Sequence, residues 1–217
     1  MPIPPSVSTP LHAIVDVEAA ERSQRLALDV ARAFLDGGAR FIQLRAKTLP
    51  SRSFLELADA CLRIARPYQA EVIVNDRADI ARLAGAAGVH VGQDDLPPAA
   101  ARELLGAAAI VGLSTHTAAQ IDAALAQPIS YLAVGPVFGT RTKATGYDAV
   151  GLELVVTAVK RAGNVPVVAI GGITLDTAAS VIQAGASAVA VIGDLLVSDD
   201  AAGRVRAYLQ ELARYRI

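Results

Sequence analysis

Eight short runs rich in β-branched residues, separated by longer stretches of helical period, constrain this chain more than anything else in it. They fall at 12–16 (HAIVD), 40–44 (RFIQL), 71–75 (EVIVN), 88–91 (GVHV), 110–113 (IVGL), 131–135 (YLAVG), 166–170 (PVVAI) and 188–192 (AVAVI). Continuous apolar runs without alternation predict strands buried on both faces, as in a parallel sheet. Between them, 19–36 places Leu26, Val30 and Phe34 on one helical face and stops at Gly37-Gly38. Phe54, Leu57, Cys61 and Leu62 make the stripe of a helix over 53–65, which reads Cys61 as a small core side chain rather than a nucleophile. Thr117 is placed to cap a helix carrying Ile121, Ala124 and Leu125; Leu152, Val155, Val156 and Val159 face inward on another. Thr174 and Asp176 open the next, and Ala207, Leu209 and Leu212 sit on a last one. Glycine-rich junctions at 37–39, 85–88 and 185–186 end helices just before strands. Eight strand–helix alternations predict an α/β fold, a single-domain (β/α)8 TIM barrel, rather than an open doubly wound sheet. Neither GxGxxG after a strand nor GxxxxGK[ST] occurs.

The material for such a core is present: of 217 residues, 53% are hydrophobic and 19% charged. The Pro- and Ser-rich residues 1–10 read as a flexible N-terminal tail, and 11–217 as the barrel catalytic domain. A net charge of −1 with both signs interspersed argues against nucleic-acid or membrane-surface partners. One cysteine allows no internal disulfide, the first residues carry no signal-peptide pattern, and no apolar run reaches the ~20 residues of a membrane span. A cytoplasmic protein is the expectation.

In barrels of this kind chemistry gathers at the C-terminal strand ends. Polar residues collect there: Gln43, Arg45 and Lys47 after the second run, Asn75 and Asp76 after the third, Gln93, Asp94 and Asp95 after the fourth. Ser114 and His116 follow the fifth, Thr140, Arg141, Thr142 and Lys143 the sixth, Gly171-Gly172 the seventh and Gly193 the eighth. Arg45 and Lys47 suit a pyrophosphate, with two solvated charges as the alternative. Asp76 and Asp95 could share one Mg²⁺; the alternative for Asp76 is a pair with Arg77 or a turn cap. Gly171-Gly172 with Gly193 fits a backbone phosphate site or simply a tight turn. His116 reads equally as an acid/base or a helix-capping loop residue. His90, inside a buried run, reads as structural or as a group behind the site, and His12 carries no message. No Ser/His/Asp set or His/Cys metal cluster stands out.

Six segments, in order, resemble the successive motifs of the thiamine phosphate synthase family. They are 43–47 (QLRAK), 75–77 (NDR), 88–97 (GVHVGQDDLP), 112–116 (GLSTH), 135–143 (GPVFGTRTK) and 169–173 (AIGGI). The resemblance implies a transferase of thiamine biosynthesis that takes phosphorylated small molecules. With Mg²⁺, hydroxymethylpyrimidine pyrophosphate would lose pyrophosphate, and the ring nitrogen of hydroxyethylthiazole phosphate would attack the exposed methylene in a dissociative alkyl transfer. It further implies that Gln43, Arg45, Lys47, Asn75, Ser114 and Lys143 hold the pyrimidine pyrophosphate, with Arg45, Lys47, Ser114 and Lys143 catalytic. Asp76 and Asp95 would hold the metal, and Thr140, Thr142, Gly172, Ile192 and Gly193 the thiazole phosphate. A neutral ring-nitrogen nucleophile needs no general base, so the main task is to stabilise leaving charge.

Three positions depart from the family pattern: Ala46 for Glu, Gly193 for Ser, and His12 for an aromatic residue. Gly193 loses a hydroxyl donor but keeps its N–H. The alternatives are a thiazole tautomerase, whose histidine would stand where Gly135 is, and a non-catalytic regulator that binds thiamine phosphates. A third is another phosphate-binding barrel such as a sugar-phosphate isomerase, for which no acid/base pair is evident.

Overall fold

Each of the eight apolar runs forms a strand, because each is buried on both faces. The computed structural model describes residues 9–139 and 148–215. Its strands are β1 (Leu11–Asp16), β2 (Phe41–Arg45), β3 (Glu71–Asn75), β4 (Gly88–Val91), β5 (Ile110–Thr115), β6 (Tyr131–Val134), β7 (Val167–Ile170) and β8 (Ala188–Val191). Neighbours pair in parallel and in chain order, and β8 returns to β1 with Leu11 opposite Val189 and Ala13 opposite Val191. The barrel is closed, so the sheet has no unpaired edge. Every residue of β1, β2 and β5 is buried, which is why their sequences show no alternation. Of the expected tail, residues 1–8 lie outside the described residues, and the Pro10 carbonyl already accepts a hydrogen bond from Val189 N at 3.0 Å.

The described helices are α1 (Val17–Arg22), α2 (Ala27–Asp36), α3 (Ser51–Ala65), α4 (Ala78–Ala84), α5 (Pro98–Leu105), α6 (Ala118–Leu125), α7 (Gly151–Ala162), α8 (Leu175–Gln183) and α9 (Ala201–Ala213). The single helix expected over 19–36 is two. Gln24 sits in the left-handed region at φ 56°, the Ser23 hydroxyl bonds back to the Ala19 carbonyl at 2.9 Å, and Arg25 is tied to the Ser198 carbonyl at 2.7 Å. Leu26, expected to face inward, therefore stands outside α2 and is 73% exposed, while Val30, Ala31, Phe34 and Leu35 are buried. The polar run 21–25, ERSQR, offers no apolar residue to hold a continuous helix against the barrel.

Elsewhere the expected faces hold, except that Val156 on α7 is not packed on the core and the register of α9 is shifted. Thr117 caps α6 by accepting from Gln120 N at 3.2 Å, and Thr174 forms a capping box with Thr177 at the start of α8. On α7, Val155 and Ala158 are buried, with Leu152 and Val159 packed beside them. On α9 the buried stripe is Val205, Tyr208 and Leu212, one step from the expected Ala207 and Leu209. No helix among the described residues is long and apolar enough to cross a membrane.

Cys61 is buried on α3, and burial pushes its thiol pKa up to about 12. The folded protein is therefore expected to resist thiol reagents at pH 8 and to react with one equivalent after denaturation. Fast labelling of native protein would contradict the core assignment.

Candidate active site

Acids from the end of β1 organise the cations after β2. Asp16 is buried; its Oδ1 accepts from Ala19 N at 2.7 Å, capping α1, and its Oδ2 takes NH1 of Arg45. Glu18 Oε1 accepts from Lys47 N at 2.8 Å, Thr48 N at 3.0 Å and the Thr48 hydroxyl at 3.0 Å, pinning the loop after β2. Burial raises the Glu18 carboxyl, but these bonds and its own backbone N–H outweigh it and hold the group below the usual carboxylate range. Glu18 Oε2 lies 3.7 Å from Arg45 NH1, and buried Arg45 Nε finds no hydrogen-bond partner among the described residues. A buried guanidinium N–H without a partner, at the rim of a barrel, is built to receive an anion.

Beside it, Lys47 Nζ contacts Asp76 Oδ2. Asp76 holds the left-handed region at φ 63°, a conformation that Asp tolerates better than most side chains, and its N–H donates to the His90 carbonyl at 2.7 Å. That turn carries the carboxylate to Asp95, whose Oδ2 accepts from Gly92 N at 2.8 Å. The Asp95 carboxyl is raised, first by burial and then by its contact with Asp76; the Gly92 N–H and Lys47 oppose the rise. Arg77, the alternative partner of Asp76, pairs instead with Asp79 at 2.6 Å. Two like charges side by side form a donor set that fits a hard divalent cation with the remaining ligands from water or substrate. Among the described residues no third acidic, His or Cys group joins them.

A cavity of about 260 Å³ opens between the ends of β5 to β8, lined by Ser114, His116, Gly172, Ile192 and Gly193 among others. Gly172 has φ 66°, and a Cβ there would lie 2.5 Å from the Gly139 carbonyl oxygen. Tight-turn packing and close approach thus both require glycine. Asp194 also lines the cavity, and its Oδ2 gathers the Tyr208 hydroxyl at 2.6 Å, Arg204 NH2 at 2.7 Å and Leu175 N at 3.0 Å. One N–H at the α8 N-terminus is therefore already taken. His116 does not cap α6, since Thr117 does; its Nδ1 lies 2.5 Å from the Gly135 carbonyl on the cavity wall.

Below both regions the barrel interior is polar. His90 Nδ1 lies 2.8 Å from the Tyr131 hydroxyl and Nε2 2.8 Å from Ser114 Oγ, while the Gln43 side chain reaches the same phenol. His12, which carried no message in the sequence, stacks on Phe41 at 4.0 Å and meets Tyr131 edge-on at 5.4 Å.

The structure thus gathers Lys47, Asp76 and Asp95 in one cluster, and Ser114, Gly172, Ile192 and Gly193 around one cavity. Gln43, Arg45 and Asn75 are buried at or near the strand ends between. Thr140, Thr142 and Lys143 lie outside the described residues. Sequence reading missed Asp16, Glu18, Tyr131 and Asp194. The rule that found the other rim residues also points to Asp16, the last residue of β1.

A closed parallel barrel with cations, paired carboxylates and a glycine-lined cavity at its C-terminal rim is the architecture of a (β/α)8 enzyme for anionic small molecules. Residues 11–195 match the family model described as thiamine monophosphate synthase. A thiamine-phosphate synthase of Roseiflexus castenholzii is 42% identical over 207 residues, covering 95% of this chain and 90% of that one. One of Anaeromyxobacter dehalogenans is 47% identical over 180 residues, covering 82% and 80%. The solved thiamine phosphate pyrophosphorylase of Pyrococcus furiosus superposes with a TM-score of 0.87 at 29% identity, covering 98% of this chain and 99% of that one. The chain belongs to the thiamine monophosphate synthase family.

Proposed function

We propose that the protein joins hydroxymethylpyrimidine pyrophosphate to hydroxyethylthiazole phosphate, giving thiamine phosphate and pyrophosphate. The bond from the pyrimidine methylene to the pyrophosphate oxygen breaks, and a bond from that carbon to the thiazole nitrogen forms. The observation that carries this reading is the adjacency of two unlike regions on one rim. The unpartnered Arg45 Nε, Lys47 and the Asp76–Asp95 pair form an anion-and-cation site, beside the glycine-lined cavity that Ser114 borders.

In this reading Asp76 and Asp95 hold Mg²⁺, which when bound neutralises charge on the pyrophosphate. Arg45 and Lys47 bind the same group and keep it oriented, and Asp16 and Glu18 keep them in place. Lys143 adds a further cation, as the family motif implies. Gln43, Asn75 and Ser114 hold the pyrimidine; Thr140, Thr142, Gly172, Ile192 and Gly193 receive the thiazole phosphate. A cytoplasmic enzyme with its catalytic unit over 11–217 completes the reading. Incubating the protein with both substrates and Mg²⁺ tests it. Equimolar thiamine phosphate and pyrophosphate are expected, and folded protein that makes neither contradicts it.

Gly172→Ala is expected to raise the KM for the thiazole phosphate about tenfold and that for the pyrimidine substrate much less. The added Cβ strains the left-handed turn and presses on Gly139 at the cavity wall. Equal rises in both KM values would place the thiazole phosphate elsewhere.

A further inference from the structure

We propose that Asp194 is a built-in competitor for the anion in the cavity at the ends of β5 to β8, and that with Arg204 it limits how tightly a phosphate is held there. Among the described residues that line this cavity there is no Lys or Arg, and Asp194 is its one carboxylate. It stands directly after Gly193 in the short turn Gly193–Leu196 that follows β8. A negative charge on the wall of a cavity opposes an anion inside it, by about tenfold or more in affinity at side-chain range. The ion pair with Arg204 is largely shielded from solvent, the two side chains being 11% and 25% exposed, so bulk water does not screen it away.

The carboxylate also engages the donors that a phosphoryl oxygen would take. Its Oδ2 accepts from Leu175 N, the first residue of α8, at 3.0 Å, and from the Tyr208 hydroxyl at 2.6 Å. It accepts from Arg204 as well, through NH2 at 2.7 Å and Nε at 3.2 Å. A helix N–H, a guanidinium and a hydroxyl are the usual partners of a bound phosphate. Tyr208 is fully buried; burial first, and then its bond to Asp194, push its pKa up, so the phenol keeps its proton and donates. All of these bonds fall on Oδ2, and among the described residues none reaches Oδ1. Asparagine could therefore keep an oxygen for the same donors and lose only the charge. That separates the electrostatic role of Asp194 from its structural one. The proposal rests on the reading that this cavity receives a phosphate. In that reading thiamine phosphate carries the same phosphate as the thiazole substrate, so a wall that limits the hold on it speeds product release.

Titration with inorganic phosphate, followed by nitrogen-15 NMR at the Gly172 and Gly193 amides, tests the competition without turnover. Asp194→Asn is expected to bind phosphate about tenfold more tightly than the wild type. Arg204→Gln is expected to bind it about tenfold more weakly, because the carboxylate then faces the cavity without its counter-charge. General loosening of the turn would weaken binding in both variants, so opposite signs separate the two explanations. Asp194→Asn that binds no more tightly, or Arg204→Gln that binds as well as the wild type or better, would overturn the proposal. Should Arg204→Gln fold poorly, Asp194→Asn alone decides. In the synthesis assay Asp194→Asn is expected to lower the KM for the thiazole phosphate by a similar factor. The KM for the pyrimidine pyrophosphate should stay within about twofold. Any other pattern would overturn the role of Asp194 toward that substrate. Wild-type protein that makes no thiamine phosphate would count against the proposed function, and the phosphate titration would still judge Asp194.

Discussion

Asp76→Asn and Asp95→Asn are each expected to lower turnover by about a hundredfold or more while leaving the barrel folded. The two carboxylates stand side by side at the ends of β3 and β4, and their proximity helps to raise Asp95. Chain folding does not demand that repulsion; a divalent cation bound there would relieve it. Asparagine is the informative substitution because residue 76 sits at φ 63°, where alanine would add backbone strain to the lost charge. Each variant should keep the wild-type circular dichroism spectrum and should need a higher Mg²⁺ concentration for half-maximal rate. Near-normal rates in both variants, or a wild-type rate unaffected by chelators, would remove the metal from the mechanism.

Arg45→Ala is expected to abolish measurable synthesis and also to destabilise the fold by about 3–5 kcal/mol, because it leaves buried Asp16 without its counter-charge. For a chain of this size that corresponds to a fall in Tm on the order of 10 °C. Adding Asp16→Asn separates the two effects. Asparagine still caps α1 at Ala19 N but carries no charge, so the double variant should regain much of the stability and none of the activity. Recovery of both would make Arg45 a structural residue only, and recovery of neither would show that Asp16 acts through more than its charge.

The barrel was legible because strands buried on two faces have to be apolar throughout, and glycine junctions mark where helices yield to them. The break at Ser23–Leu26 was not, since Leu26 completes a helical stripe with Val30 and Phe34 that the chain does not use. The rim residues could be found one strand end at a time. Their pairing could not: Arg45 with Asp16, and Lys47 with Asp76, join positions 29 residues apart that only the closed sheet brings together. The link between His90 and Tyr131 was hidden for a related reason. Polar residues inside apolar runs look like isolated exceptions until β4, β5 and β6 place them side by side. Cys61 was readable in advance, as its place on the α3 stripe already implied burial.

The most direct test of the proposed reaction is an omission series on the wild-type protein with Mg²⁺, following pyrophosphate release and the fate of the thiazole together. Pyrophosphate is expected only when both substrates are present, in step with thiamine phosphate. Isomerisation of a thiazole carboxylate phosphate in the absence of any pyrimidine substrate would contradict this and place the protein with the tautomerases.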